Sequence, residues 1–565
     1  RLNGYHLPPP VGYKDSSYQR YLDSNEYKTR GMGYVGANDG MLHAFNLGVL
    51  KAGTTKDVTS FITGSDFGKE MWTYIPRNAL PYLKYLADPE YDHLYYVDAS
   101  PSLNDVSIEV TEGTGCTDAA YWLCKKETIY EAGTESTTKE LDLDKTSWRT
   151  VLLGAMGLGG ASRNTTDACS ASTDCVKTPI ANVGYSSYFA LDVTTPTSPS
   201  LMWEFASADL GYSTVGPAIV RIGDTDKNGR WFAVLASGPT GPINTQTHQF
   251  LGRSTQNLKL FILDLKTGAL LRTIDTGIQN AFAGSLSGGT LDTDRNSTGT
   301  IGAYNDDAVY LGYVRKDTTT GTWTKGGVLR LFTKENIDPA QWWWANLVDD
   351  IGPVTSAVAQ LQDTTHKNHW LFFGSGRYYY KAGSDLDDAT GRRALYGIKD
   401  PCYDLNNKMK TTCNTPTVLA TDLVNQTDSI QGMGTAPGWY VLLDEASGSA
   451  GAERVITDPV AAPNGAIFFT SFKPAADVCK FGGDLALWGV NYSTGGYLTP
   501  SQLIGEAIIQ SSTGSFEQID LGSSFTQRLN RKTAERQGVP PRNKPTIVTN
   551  ANIKPQKRII HIREK

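Results

Sequence analysis

Apolar residues in this chain come in short runs, alternating or continuous, separated by clusters of Gly, Asn and Asp. The clearest unit is Tyr34–Phe45, YVGANDGMLHAF, where Asn38-Asp39-Gly40 stands between two alternating segments. That is a hairpin signal, because these three residue types accept the backbone conformations of tight two-strand turns. Related strands are predicted at Tyr188–Asp192, at Gly327–Phe332 and at Leu260–Leu265, the last running into Lys266-Thr267-Gly268. Two more fall at Ala394–Ile398 and Leu487–Val490. Self-similar short strands without amphipathic helices between them point to an all-β propeller, with a large sandwich or a β-helix as the competing architectures.

Four to eight blades of roughly 45 residues use at most about 360 residues. The remainder is assigned to loop insertions in polar stretches near residues 105–145, 162–182 and 380–430. The expected organisation is a propeller over residues 1–510 and an extended basic arm over 511–565. From Arg528 onward there are eleven Lys and Arg, two acidic residues and four prolines. Such a segment reads as a tail over an acidic body or as a docking segment for a partner.

Composition narrows the class. Among 565 residues, 57 Gly, 28 Tyr and 12 Trp suit a turn-rich β protein, and 39% apolar residues suffice for a large core. A net charge of −6 excludes a generally basic nucleic-acid binder. No apolar run reaches the roughly 18–20 residues of a membrane helix. The chain starts at Arg1 with neither an initiator Met nor a signal segment, which reads as a processed piece. Three cysteine pairs are close in sequence: Cys116 with Cys124, Cys169 with Cys175, and Cys402 with Cys413. Local disulfides stapling surface loops are expected, and with them an oxidising compartment. Zinc lacks the required spacing. Cys479 is left as a buried thiol or the partner of a distant one.

The most specific chemical pattern is Asp292-Thr293-Asp294-Arg295-Asn296, followed after a polar loop by Asn305-Asp306-Asp307 and a strand. Carboxylate and amide oxygens at positions 1, 3 and 5 converge on one side of a tight loop and can cage Ca²⁺. The alternative is an Asx-rich turn whose side chains cap backbone N–H groups. A second copy, Asp224-Thr225-Asp226-Lys227-Asn228-Gly229, has Leu235 where a closing Glu belongs, and a plain turn is the preferred reading. Catalytic signals are weak: there is no His-Glu-x-x-His, nucleophile elbow or Walker loop. Gly157–Gly160 reads as a turn, His43 as a hydrogen-bonded strand residue, and His93 as a partner for Asp92. Trp342-Trp343-Trp344 is a glycan platform or, more commonly, a buried blade contact.

The order of several segments resembles the C-terminal propeller of the PilY-type family, the tip and assembly factors of type IV pili. These are YVGANDGMLHAF at Tyr34–Phe45, Trp72–Pro76, Tyr91-Asp92-His93 leading to Asp98, Trp148–Leu152 and Tyr188–Thr194. Phe373–Tyr378, Tyr396–Ile398, Gly438–Tyr440 and Glu453–Val455 follow. The resemblance covers roughly Gly31 to Gly505 and implies a modified seven-bladed quinoprotein-like propeller that binds no quinone and is not an enzyme. It implies a Ca²⁺ loop held by Asp292, Asp294, Asn296 and Asp307, with Asn305 at the backbone-carbonyl position. This sequence departs from the family pattern by an insertion from Ser297 to Tyr304, by Asn at the carbonyl position, and by Gly312-Tyr313 after the strand. The family's frequent von Willebrand A-like domain has no D-x-S-x-S counterpart here.

The expected function is therefore a calcium-binding, pilus-associated factor and tip adhesin that modulates pilus extension, retraction and surface attachment. Its implied partners are minor and major pilins and a host or surface receptor, with neither nucleic acid nor a membrane span. Its implied place is extracellular, at the pilus tip or the outer membrane. A quinoprotein-like dehydrogenase and a metal-free glycan-binding propeller are the alternatives; the absence of adjacent cysteines counts against the dehydrogenase.

Overall fold

The computed structural model describes residues 2–3, 15–53, 60–89, 93–160, 184–244, 249–294, 304–377, 391–404, 406, 408–410, 413, 418–447, 450–475, 482–510, 516–525, 532, 536–540 and 545–549. Among these, seven sheets of three to five strands follow one another along the chain, as a seven-bladed β-propeller requires. The first sheet is Met32–Gly36, Leu42–Asn46 and Glu70–Tyr74, and its hairpin pairs Gly36 with Leu42 as the Asn-Asp-Gly turn predicts. Gly40 in that turn has φ +101°, a conformation that a side chain would resist.

Ser102–Ser107, Trp148–Ala155, Tyr188–Asp192 and Ser200–Phe205 make the second sheet, with Leu2–Asn3 added in parallel. Ala218–Ile222, Arg230–Ala236, Lys259–Asp264 and Leu270–Asp275 make the third. In the fourth, Ala281–Ala283 and Thr290–Leu291 both pair with Ala308–Arg315, followed by Lys325–Phe332 and Trp343–Val348. The fifth contains Asn368–Gly374 and Ala394–Lys399, the sixth Ala466–Pro474 and Gly483–Asn491, and the seventh Gly505–Gln510.

Apolar side chains fill the spaces between consecutive sheets. Val220, Phe232, Val234 and Ile262 of the third sheet pack against Val309, Leu311 and Leu329 of the fourth. Leu371 and Phe373 of the fifth meet Tyr310 and Val328 of the fourth from the other side. Both faces of these strands are covered, so they read as continuous apolar runs rather than strict alternations. A cavity of about 1150 Å³ opens between the sheets, with Tyr34, Ser100, Ser287, Ala357, Thr457 and Ile508 on its wall.

Three expectations change. A helix at Ser16–Asp23, not foreseen, is capped by the Asp15 carboxylate accepting from Tyr18 N at 3.1 Å. Its Tyr18 and Tyr21, one turn apart, bury against Trp148. The arm expected over 511–565 is, in its described parts, woven into the sheets. Phe516–Asp520 and Thr546–Thr549 pair with Gly505–Gln510, and Arg536–Gln537 with Gly483–Asn491. The insertion expected over 380–430 carries, besides the predicted strand at Ala394–Lys399, a second strand of the same sheet, Val424–Asn425, paired with Gly438–Leu442. Disulfides join Cys116 to Cys124 and Cys402 to Cys413. Asp92, Cys169, Cys175, Asn296, Cys479 and the whole of the 162–182 stretch lie outside the described residues, as do 550–565.

Candidate metal loop and relatives

The acidic loop joins two strands of the fourth sheet, Thr290–Leu291 and Ala308–Arg315, which pair with each other. That pairing brings its two ends together. Asp307 N donates to Leu291 O at 2.7 Å, and the Asp307 carboxylate accepts from Thr293 N and Oγ1 at 2.7 and 3.0 Å. Asp294 N donates to the Asp292 carboxylate at 3.1 Å. Thr333 clamps the closing arm by donating from Oγ1 to the Asp306 and Asp307 carbonyls.

Asp292, Asp294, Asn305 and Asp307 are all buried. Burial pushes the Asp307 carboxyl up to about 7, and the charges of Glu335 and Asp294 push the same way against the Thr293 bonds. Burial likewise pushes Asp306 up to about 7, opposed by Arg221. Asp306 faces the third sheet, where it accepts from Arg221 N at 2.6 Å. Asn305 is tied to the third sheet through its side-chain oxygen, which accepts from Gly223 N at 2.7 Å. Glu335, which the local motif did not indicate, enters the cluster from 28 residues beyond Asp307; burial of its carboxyl and Asp294 raise it.

Every side chain brought here except the Asn305 amide nitrogen offers oxygen, the donor that suits Ca²⁺. Among the described residues no three His, Cys, Asp or Glu side chains stand as a group that could hold a metal ion. Asn296, the fifth expected ligand, lies outside them.

The other candidates resolve differently. The Asp224–Gly229 segment is a turn in which the Asp224 carboxylate accepts from Asp226 N and Lys227 N. Trp342 is buried against Phe232, Trp343 stacks on Phe332 at 4.2 Å and Trp344 packs half-buried against the core between the third and fourth sheets, so all three make blade contacts. His43 bonds to Glu70 at 2.5 Å and to Asp39 at 2.9 Å. His93 packs edge-on against Tyr95. No described helix is long and apolar enough to cross a membrane.

Known proteins are similar to this chain in sequence and in fold. A type IV pilus biogenesis factor PilY1 homolog of Xylella fastidiosa is 26% identical over 513 residues, which is 85% of this chain and 27% of the relative. Type IV pilus biogenesis factor PilY1 of Pseudomonas aeruginosa strain UCBPP-PA14 is 24% identical over 515 residues, 82% of this chain and 36% of the relative. The chain thus spans about a third of these relatives' length, or less. The crystal structure of the Pseudomonas aeruginosa PilY1 C-terminal domain matches with a TM-score of 0.54 at 19% identity, covering 96% of this chain and 98% of that one. That match shows the fold. The PilY1 beta-propeller domain matches residues 124–435, more than half of the chain, and the chain belongs to that family.

Proposed function

We propose that this chain is the propeller module of a type IV pilus biogenesis factor and pilus-tip adhesin, and that its 292–307 loop takes Ca²⁺. The supporting observation is the neck of that loop: Asp292, Asp294 and Asp307 are each buried, with Thr293 donating to Asp307 and Asp294 N to Asp292. A cation placed among neighbouring buried carboxylates offsets their mutual repulsion and the cost of burying them, so the loop suits one. The carboxylates of Asp292, Asp294 and Asp307 would supply oxygen ligands to Ca²⁺, and the ion would supply positive charge. The chain's own residues do the rest: Thr333 and Leu291 hold the closing arm, and the Ala308–Arg315 strand carries its order into the blade.

An ordered loop then favours one contact state with minor and major pilins, biasing extension against retraction, by as much as Ca²⁺ prefers that state. Pilus association places the module outside the cell or at its surface, where a host or surface receptor is reached. A piliated bacterium carrying this chain tests the reading. Asp294→Ala and Asp307→Ala alleles should change the surface pilus number and twitching distance in medium containing calcium. Parent-like piliation and twitching in both alleles would refute it.

A further inference from the structure

We infer that the Arg221 guanidinium acts as a built-in cation of the Asp224–Gly229 turn and, from there, positions the closing arm of the acidic loop. Arg221 is the last residue but one of the Ala218–Ile222 strand and is 3% exposed. Its Nη2 donates to the carbonyls of Asp224 and Lys227, and its Nε to that of Asn228, each at 3.0 Å. In a calcium loop of this pattern the side chains at positions 1, 3 and 5 and one later carbonyl turn inward to the metal; here the backbone carbonyls of positions 1, 4 and 5 turn inward instead, to a planar cation with five N–H donors in a fixed fork. The Asp224 carboxylate turns to its own backbone instead. Gly229, at φ +72°, closes the turn around the guanidinium.

The same residue reaches the acidic loop. Nη1 donates to Tyr304 O at 3.3 Å, Arg221 N to the Asp306 carboxylate at 2.6 Å, and Asp306 N returns a bond to Arg221 O at 2.9 Å. Gly223 N adds the bond to Asn305. Three successive residues before Asp307 are therefore fixed by the end of one strand in the neighbouring sheet.

The outer side of the turn is fixed as well. Asn228 N donates to Cys124 O at 2.9 Å, Lys126 N to Asp226 O at 2.7 Å, and the Asn228 amide to Glu109 O and Tyr121 O. Cys124 is in the Cys116–Cys124 disulfide. Lys126 pairs with Asp15, the helix cap, at 2.5 Å, and its ammonium lies 4.6 Å from the Tyr304 ring centre. The Ser16–Asp23 helix, the stapled insertion, the turn and the closing arm thus form one bonded unit with Arg221 at its centre.

Hydrogen exchange of the whole chain, without added metal, tests this. Arg221→Met keeps the stem and removes the fork, stranding buried carbonyls on both sides. Exchange should rise at least tenfold in peptides spanning 221–229 and 304–307 together, while 466–491 stays unchanged. A rise confined to 221–229 would overturn the inference. Lys126→Met cuts the unit at its outer end and leaves Arg221 in place, so it serves if Arg221→Met fails to fold. It should speed exchange at both 15–23 and 304–307; an unaffected arm would count against the proposal.

A second readout rests on the calcium reading of the loop. Calcium should slow exchange at 15–23 in the parent, and Arg221→Met should bind calcium at least tenfold more weakly and lose that distant protection. Unchanged affinity would contradict Arg221's positioning role. If the parent binds no calcium, the metal reading fails, while the metal-free exchange result still decides the role of Arg221.

Discussion

Arg330 and Asp400 form an ion pair at 2.6 Å with both side chains fully buried. Arg330 belongs to the fourth sheet, and Asp400 opens the Cys402–Cys413 loop that follows a strand of the fifth. The pair therefore fastens that loop to the neighbouring blade. Arg330→Met keeps the packing stem and deletes the charge. Asp400 would keep the Tyr310 hydroxyl at 2.8 Å and Cys402 N at 2.7 Å, two neutral donors to a carboxylate no longer offset by its cation. Breaking a buried pair from one side costs about 3–5 kcal/mol, and the two remaining donors put this case near 3 kcal/mol. Replacing both partners, as in Arg330→Met with Asp400→Leu, removes the stranded charge and should cost markedly less than the sum of the singles. Urea unfolding followed by tryptophan fluorescence gives the three values and their coupling. A single Arg330→Met change costing under about 1 kcal/mol, or strictly additive singles, would refute the reasoning.

Trp148, fully buried between the N-terminal helix and Trp231, should cost about 3–5 kcal/mol on truncation to Ala in the same unfolding assay. Removing the Cys116–Cys124 staple by double Ala substitution should cost about 2.5 kcal/mol from the entropy of its short loop, read as a lowered denaturation midpoint. The Glu70 bond, with help from Asp39, raises the His43 imidazole above its ordinary range. Its contribution to stability is then complete below the unfolded value near 6.5 and fades as pH rises through the higher folded value. An NMR titration of the seven histidines should show that elevated midpoint fall in Glu70→Gln.

Strands with a dense apolar pattern were legible from sequence. Tyr188–Asp192, Gly327–Phe332 and Ala394–Ile398 all lie within strands whose faces pack against neighbouring sheets. The Asn-Asp-Gly hairpin was legible because turn chemistry is local. The Ser16–Asp23 helix was not, because two turns whose buried residues are Ser17, Tyr18 and Tyr21 give too short an apolar period. Phe516–Asp520 and Thr546–Thr549 were hidden by the charge and proline of their surroundings, although backbone pairing holds both and Ile519 and Ile547 pack into the core. At the candidate site, Asp292, Asp294 and Asp307 stood out by spacing. Glu335 and Arg221 did not, since their roles arise only where separate strands converge. The 224–229 motif shows the limit of spacing as a signal: an arginine three residues before it gathers the turn's backbone carbonyls, and the Asp224 carboxylate caps its own backbone.

The most direct test of the central claim is calcium titration calorimetry on this chain beside Asp294→Ala. Micromolar binding that Asp294→Ala abolishes is the predicted result. Binding retained in the variant, or no binding by the parent chain, would contradict a calcium site in the 292–307 loop.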